Sequence, residues 1–420
     1  MKDVISFISK SKTAYHCIEQ LKNRLIEAGF EEIEKWSKAE KLQPGKGYFA
    51  IRNQSSMIAF VTPKEKTECF HVWAAHSDSP AWKIKENPEI TVDNHYVKLN
   101  VEKYGGMIMS TWLDRPLGIA GRIVKKANKG FVPENVDLGN ACCVIPNLAI
   151  HLNREINKGY EYNPQTDMCP LLTLEKETTI LDFVANHLQM EKEDILGSDL
   201  YLYNGEEGKV VGLQEEFLTA PRLDDLLCVY AGLQGMVSCM EENRIPSNQC
   251  NVLAVFHNEE VGSRTLQGAD SDFLKNVLEK IRESTSSKDA MELYGDSFMI
   301  SADNAHGVHP NHGEKSDITN RPYLNQGVVL KFHGGAQYTT DGFSAAVVRD
   351  LAKHAKIKLQ DYANRSDIAG GSTLGNVALS QLSIPAADIG VAQLAMHSAM
   401  ETAGTKDIKD MITLCREFYK

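Results

Sequence analysis

No two cysteines in this sequence stand in a Cys-x-x-Cys pair. There are nine, an odd number, and only Cys142 and Cys143 adjoin. That spacing offers neither a thiolate zinc site nor a disulfide framework, and leaves reduced, packed thiols. No apolar run approaches the ~20 residues that cross a bilayer, which excludes a membrane-spanning helix. The first residues, Met1 to Lys10, meet Lys10 and Lys12 before a signal-peptide core could form, so the expected compartment is the cytoplasm. Positive charge is not in excess either. Lys and Arg number 45 against 56 Asp and Glu, for a net charge of −11, which argues against a nucleic-acid partner. Lys83-Ile84-Lys85 and Lys125-Lys126 are only local basic spots, read as solvated faces. Internal repeats and low-complexity tracts are missing too.

What is present suits a large soluble protein. Of the 420 residues, 42% are hydrophobic and 24% charged, enough apolar material for two or three cores. Residues 3–29 repeat apolar side chains at helical spacing (Val4, Ile8, Tyr15, Ile18, Leu21, Leu25) up to Gly29, predicting one amphipathic helix. Turn signals at Gly45-Lys46-Gly47 and Pro63-Lys64 frame a strand pair whose second member lies near Ser56–Val61. From about residue 92 the texture turns to alternating β patterns, with helices expected at Ile180–Met190 and Lys192–Leu196. After about 213, strand and helix patterns alternate again: 251–256, 271–283, 297–302, 342–355, 371–382, 386–392 and 406–419. The expected architecture is α/β, a mixed sheet with helices on both faces, formed by 1–91 and 213–420 and interrupted by a mainly β insertion over 92–212.

The chemistry concentrates where apolar runs end. Asn251-Val252-Leu253-Ala254-Val255-Phe256 stops at His257-Asn258-Glu259-Glu260. A β-branched run ending in charge reads as a buried parallel strand delivering side chains at its carboxyl edge, where open α/β sheets hold ligands. Adjacent Glu residues are also common on solvated surfaces, so the pair needs company. It has it. His71-Val72-Trp73-Ala74-Ala75 ends at His76-Ser77-Asp78, Phe298-Met299-Ile300-Ser301-Ala302 ends at Asp303, and Ala386–Ala392 leads to Met396-His397-Ser398. Asp224, in Pro221-Arg222-Leu223-Asp224-Asp225, is placed to cap a helix.

If those ends converge, His76, Asp224, Glu260, Asp303 and His397 form a set of two imidazoles and three carboxylates. Such a set suits zinc, cobalt or manganese better than calcium. Five ligands exceed what one tetrahedral catalytic ion takes, and fit two ions about 3.5–4 Å apart sharing one carboxylate, for which Asp224 is the natural bridge. Glu259 points away from Glu260 on an extended segment and is free to act as general base. Asp78, two residues past His76, is placed to accept the other imidazole N–H and fix its tautomer.

Taken together, His76-Ser77-Asp78-Ser79-Pro80, Arg222-Leu223-Asp224, Asn258-Glu259-Glu260-Val261-Gly262-Ser263, Ser301-Ala302-Asp303-Asn304-Ala305-His306 with His309-Pro310-Asn311, and Met396-His397-Ser398 resemble the aspartyl aminopeptidase family of two-metal aminopeptidases. The motifs keep the family's order from 76 to 398. The resemblance implies the same five ligands and the same base. It also implies a cytoplasmic enzyme removing N-terminal residues, acidic ones by preference, with two divalent ions, zinc first and cobalt or manganese as alternatives. It implies peptide substrates, an inserted dimerisation domain, and assembly of dimers into a dodecameric shell. His151 resembles a histidine that reaches into a neighbouring subunit's site. His306, Lys331 and Tyr338 resemble substrate-side residues, and Lys331 would pair with an acidic substrate side chain. Gly370-Gly371-Ser372-Thr373 either opens a helix whose N–H groups face a substrate or is a plain helix start. Two positions depart from the family's pattern: Asp225 stands where Asn is usual and His257 where Asp is usual. Two alternatives remain at this point, a two-metal deacylase or amidase acting on small N-acyl substrates and an inactive peptide-binding shell.

Overall fold

A computed structural model describes residues 1–35, 42–127 and 130–420. Its largest element is a nine-stranded mixed sheet. Across it run Glu31–Glu32, Gly47–Arg52, Ser56–Val61, Gln249–Phe256, Cys69–His76, Phe298–Ala302, Ala386–Gly390, Val328–Phe332 and Leu359–Ala363. The four strands from Gln249–Phe256 to Ala386–Gly390 are mutually parallel. Parallel pairing buries both faces, which is why these strands read as continuous apolar runs. Alternate residues feed two cores. Trp73 and Ala75 pack with the helices Lys2–Lys10, Ala14–Glu27, Leu223–Glu241, Gly342–Ala355 and Thr405–Phe418. Phe70, Val72 and Ala74 pack with Phe273–Thr285, Ala290–Gly295 and Leu374–Ala378. Helices thus cover both faces, as the sequence predicts.

Register brings the strand ends level. Phe256 pairs with His76, and Ser301 with both Ala74 and Asp388. The carboxyl edge of the parallel strands is therefore one row.

The β-rich middle of the chain forms a second, all-antiparallel sheet of seven strands. Ile195–Asn204 pairs with Ala81–Val92 on one side and Pro116–Lys126 on the other, closing the sheet on itself. Trp82, Leu99, Leu117, Ile119 and Leu202 fill it, and the helix Ile180–Leu188 packs Ile180 and Val184 against them. This sheet opens at Ala81, ahead of the expected change at 92, because the strand leaving Asp78 and Pro80 runs directly into it. A third, five-stranded sheet joins Lys209–Val211, Phe217–Ala220, Glu401–Gly404, Ala392–Leu394 and Ala305–His306, and was not foreseen.

Three local expectations need correction. The single helix over 3–29 is two, Lys2–Lys10 and Ala14–Glu27, with Thr13 extended at the second start. The cause is tertiary. The half-buried Arg222 guanidinium donates to the Ile8 carbonyl at 3.2 Å, which also accepts the Ser11 N–H, and to the Ser11 carbonyl at 3.1 Å, clamping the chain where the first helix ends. Lys192–Leu196 is not a helix either. A single 3-10 turn at Lys192–Asp194 leads into the strand that begins at Ile195. The helix expected over 371–382 shrinks to Leu374–Ala378.

Candidate metal centre and active site

His76, Asp224, Glu260, Asp303 and His397 meet at the carboxyl edge of the parallel strands. Three overlapping groups arise among the described residues. His76, Asp224, Asp225 and Asp303 each present a ligand atom within 4.8 Å of the others, and so do Asp224, Glu260 and His397, and His76, Glu259 and Glu260. Asp224 belongs to the first two, one oxygen for each. Its Oδ1 lies 3.5 Å from His76 Nε2 and its Oδ2 3.5 Å from His397 Nε2. Around it, His76 Nε2 is 3.9 Å from Asp303 Oδ1, and His397 Nε2 is 3.4 Å from Glu260 Oε1.

The local backbone makes this possible. Asp224 does not cap the helix that follows, contrary to expectation. Arg222 occupies the cap position at φ 57°, and Asp224 and Asp225 are non-helical, which turns the Asp224 side chain toward the two histidines. Asn258, just before the Glu pair, has φ 64°, and His397 φ 66°. Non-glycine residues in the left-handed region cost energy and persist where surroundings hold them, as at functional sites.

The carboxylates are ill-served without a cation. Asp224 Oδ1, Asp225 Oδ1 and Glu260 Oε1 are buried with no hydrogen-bond partner among the described residues. Burial, with Asp224 nearby, pushes the Glu260 carboxyl well above its ordinary range. Burial also raises Glu259, which His76 opposes and Asp303 reinforces, to about 8. Orphaned buried oxygens facing two imidazoles are what a divalent ion satisfies. Two imidazoles and three or four carboxylates fit zinc chemistry.

Asp78 lies behind His76. Its Oδ1 is 3.5 Å from His76 Nδ1, although that nitrogen lies closer, at 3.1 Å, to the Asp78 main-chain carbonyl. Tyr104, at the end of a strand of the second sheet, donates to Asp78 Oδ2 at 2.6 Å. The main-chain N–H groups of Glu259 and Glu260 donate to the same carboxylate at 3.3 and 3.2 Å. Burial works against the charge on Asp78, but His76 and the other donors hold its pKa down at about 2.

A pocket opens over the cluster, lined by Glu259, His306, Lys331, Tyr338, Tyr362, Gly371, Ser372 and Thr373 along with the histidines. Lys331 is no surface residue. It is 2% exposed, donates to the main-chain oxygens of Asp303 and Asn304 at 2.8 and 3.3 Å, and sits 5.1 Å over the Tyr338 ring. Burial disfavours its charge, but Asp303 outweighs this and keeps it a cation. Of Gly370–Thr373, the last three residues line the pocket while Thr373 donates to Asp388 at 2.6 Å. His151 stands apart. It is exposed on a long loop of the second sheet, between exposed Ile150 and Leu152, and lines no part of this pocket.

Sequence reasoning missed Asp225 as a contributor, and Tyr104, Asn304, Gln393 and Glu401, which surround the cluster. Tyr104 ends a strand, a signal that could have been read. Glu401 carries none beyond standing four residues after His397.

Comparison with known proteins identifies the family. Residues 7–419 match the family model described as Aminopeptidase I zinc metalloprotease (M18). "Probable M18 family aminopeptidase 2" of Clostridium novyi (strain NT) is 42% identical over 431 residues, covering 99% of this chain and 98% of the relative. Its namesake in Pseudomonas aeruginosa (strain UCBPP-PA14) is 35% identical over 426 residues, covering 99% and 97%. Among solved structures, a chain of the Ape4 and Nbr1 complex superposes with TM-score 0.95 at 31% identity, covering 99% of this chain and 84% of that one. Yeast aminopeptidase 1 superposes with TM-score 0.87 at 26% identity, covering 100% and 96%. Fold and cluster define a metal-dependent peptide hydrolase. Within that class, the chain belongs to the M18 family of zinc aminopeptidases.

Proposed function

We propose that this aminopeptidase works with two divalent ions that share Asp224, one held with His76 and Asp303 and the other with Glu260 and His397. The observation that carries the reading is the split of Asp224, one oxygen toward each histidine. Zinc is the first choice of metal, with cobalt or manganese fitting the same donors. Ions in these positions would polarise the scissile carbonyl and acidify the attacking water. Glu259 accepts that water's proton and returns it to the departing amine. Asp78 orients the His76 ring, and is itself held by Tyr104 and the two main-chain N–H groups.

His306, Lys331 and Tyr338 contact the substrate's N-terminal residue, and the Lys331 cation favours an acidic side chain there. The closed sheet, from Ala81 on, together with the rest of the chain to about 212, serves as a dimerisation domain inserted between catalytic segments that end near 80 and resume near 213. Its exposed Leu148, Ile150 and Leu152 flank His151 and carry it into a second copy's pocket. Dimers assemble further into a dodecamer, the state in which S. cerevisiae mApe1, a 26% identical relative, was solved. Nine free thiols suit the cytoplasm.

The test is a panel of aminoacyl chromogenic substrates, with and without chelator, beside their N-acetylated forms. Chelator-sensitive cleavage of free amines alone is the expected result, with Asp and Glu leading. Lys331→Met should lower kcat/KM for acidic residues at least tenfold more than for neutral ones. Equal cleavage of acetylated substrates would favour a deacylase, and an unchanged preference in the variant would remove Lys331 from specificity.

A further inference from the structure

Glu401 is 2% exposed, lies directly behind the cluster, and has no part in the reaction described above. Its two oxygens face two different segments. Oε2 accepts the main-chain N–H of Asp224 at 3.0 Å, and Oε1 accepts the main-chain N–H of His397 at 2.8 Å. Gln393 donates to Oε1 at 3.4 Å. The Gln393 carbonyl in turn accepts from Asn304 at 2.9 Å, and Asn304 also donates to the Leu223 carbonyl at 2.8 Å. Glu401, Gln393 and Asn304 therefore form a buried brace. It ties together the segment that delivers Asp224, the turn that delivers His397, and the residue following Asp303.

These segments need a brace. Arg222, Ala395 and His397 have φ of 57°, 55° and 66°, so both Asp224 and His397 issue from backbone that does not hold its shape by local preference. A carboxyl group suits the position because each of its oxygens accepts a main-chain N–H, Oε2 that of Asp224 and Oε1 that of His397. A glutamine would keep one acceptor and turn an N–H toward the other donor, leaving a buried group unpaired.

We propose that Glu401 is the positioning residue that fixes the span between Asp224 and His397, and so sets the affinity of the site formed by Asp224, Glu260 and His397 for its ion. The inference rests on the two-ion reading above. It grades the two sites. His76 and Asp303 owe nothing directly to Glu401, while Asp224 serves both ions, so the ion held with His76 is expected to weaken less than the ion held with His397.

The experiment is zinc binding to metal-free wild type, Glu401→Gln and Gln393→Met, followed by calorimetric titration and elemental analysis after dialysis, with thermal unfolding of each metal-free protein. Wild type should take two ions per chain. Glu401→Gln should keep one tight ion and bind the second about 10–100-fold more weakly, while its metal-free melting temperature stays within a few degrees of wild type. Gln393→Met removes only the lateral support of Oε1, and should weaken the second ion a few-fold. It decides the matter if Glu401→Gln does not fold. Equal affinities in wild type and the folding variants would overturn this inference alone. So would a uniform loss at both sites accompanied by a lower metal-free melting temperature, which marks a merely structural residue. A wild type that binds a single ion would instead overturn the two-ion reading, and this inference with it.

Discussion

At Glu259, the surroundings of one side chain decide its chemistry. It neighbours the cluster in sequence and in space, lines the pocket, and is pushed up to about 8 chiefly by burial. Its place beside the cluster, facing the pocket, suits it to take a proton from a water there and pass it on. Glu259→Gln should lower kcat by about 100- to 10,000-fold with KM and zinc content little changed, as steady-state kinetics and elemental analysis would show. Loss of zinc in that variant would recast the residue as a ligand. The same burial makes a prediction about the metal-free protein. Burial, with Asp224 close by, holds the proton on Glu260. Burial disfavours charge on His76, but Asp224, Asp303 and Asp78 outweigh it and hold its pKa well above ordinary. Both must lose protons to bind an ion, so uptake releases protons and apparent affinity climbs as pH rises. Zinc titrations in buffers of different ionisation enthalpy should give apparent heats that scale with the buffer. Identical heats would mean the ligands are already deprotonated.

The secondary-structure elements explain what the sequence could and could not disclose. His76, Glu260 and Asp303 were legible because a buried parallel strand is an apolar run and its end is visible as a change to charge. The Asp224 and His397 positions were readable only once those ends were assumed to converge. The break between Lys2–Lys10 and Ala14–Glu27 was illegible, since it depends on Arg222, 211 residues beyond Ser11. Glu401 was illegible for another reason. It acts on the main chain of other residues, and a pattern of side-chain types does not record that. Gly390 lies between these cases, a strand glycine whose purpose appears only in three dimensions. A Cβ there would meet the Asp303 carbonyl oxygen at 2.1 Å. Gly390→Ala should cost about 1–3 kcal/mol of stability and reduce zinc retention through Asp303, as thermal denaturation and dialysis would reveal. An unchanged melting temperature would show that the strand has room to move.

For the whole molecule, the second sheet is more than an appendage, because Tyr104 extends from it to Asp78. His151, on the far loop, gives the proposal of a shared site a direct trial. His151→Ala and Glu259→Gln should each be nearly inactive alone, yet mixing and reassembling them should restore about a quarter of wild-type activity if dimers form at random. No recovery would confine His151 to its own chain. The order of strands in the main sheet has a different consequence, for how the protein is made. Gln249–Phe256 sits between Ser56–Val61 and Cys69–His76, so these two strands, consecutive in the chain, are not neighbours in the sheet. The roughly 180 residues from His76 to Phe256 take on the order of 10–40 s to synthesise. Throughout that interval the nascent chain carries two apolar strand edges awaiting a partner not yet translated. Chaperone dependence of this protein should therefore fall most heavily on ribosome-bound chains shorter than that strand's emergence.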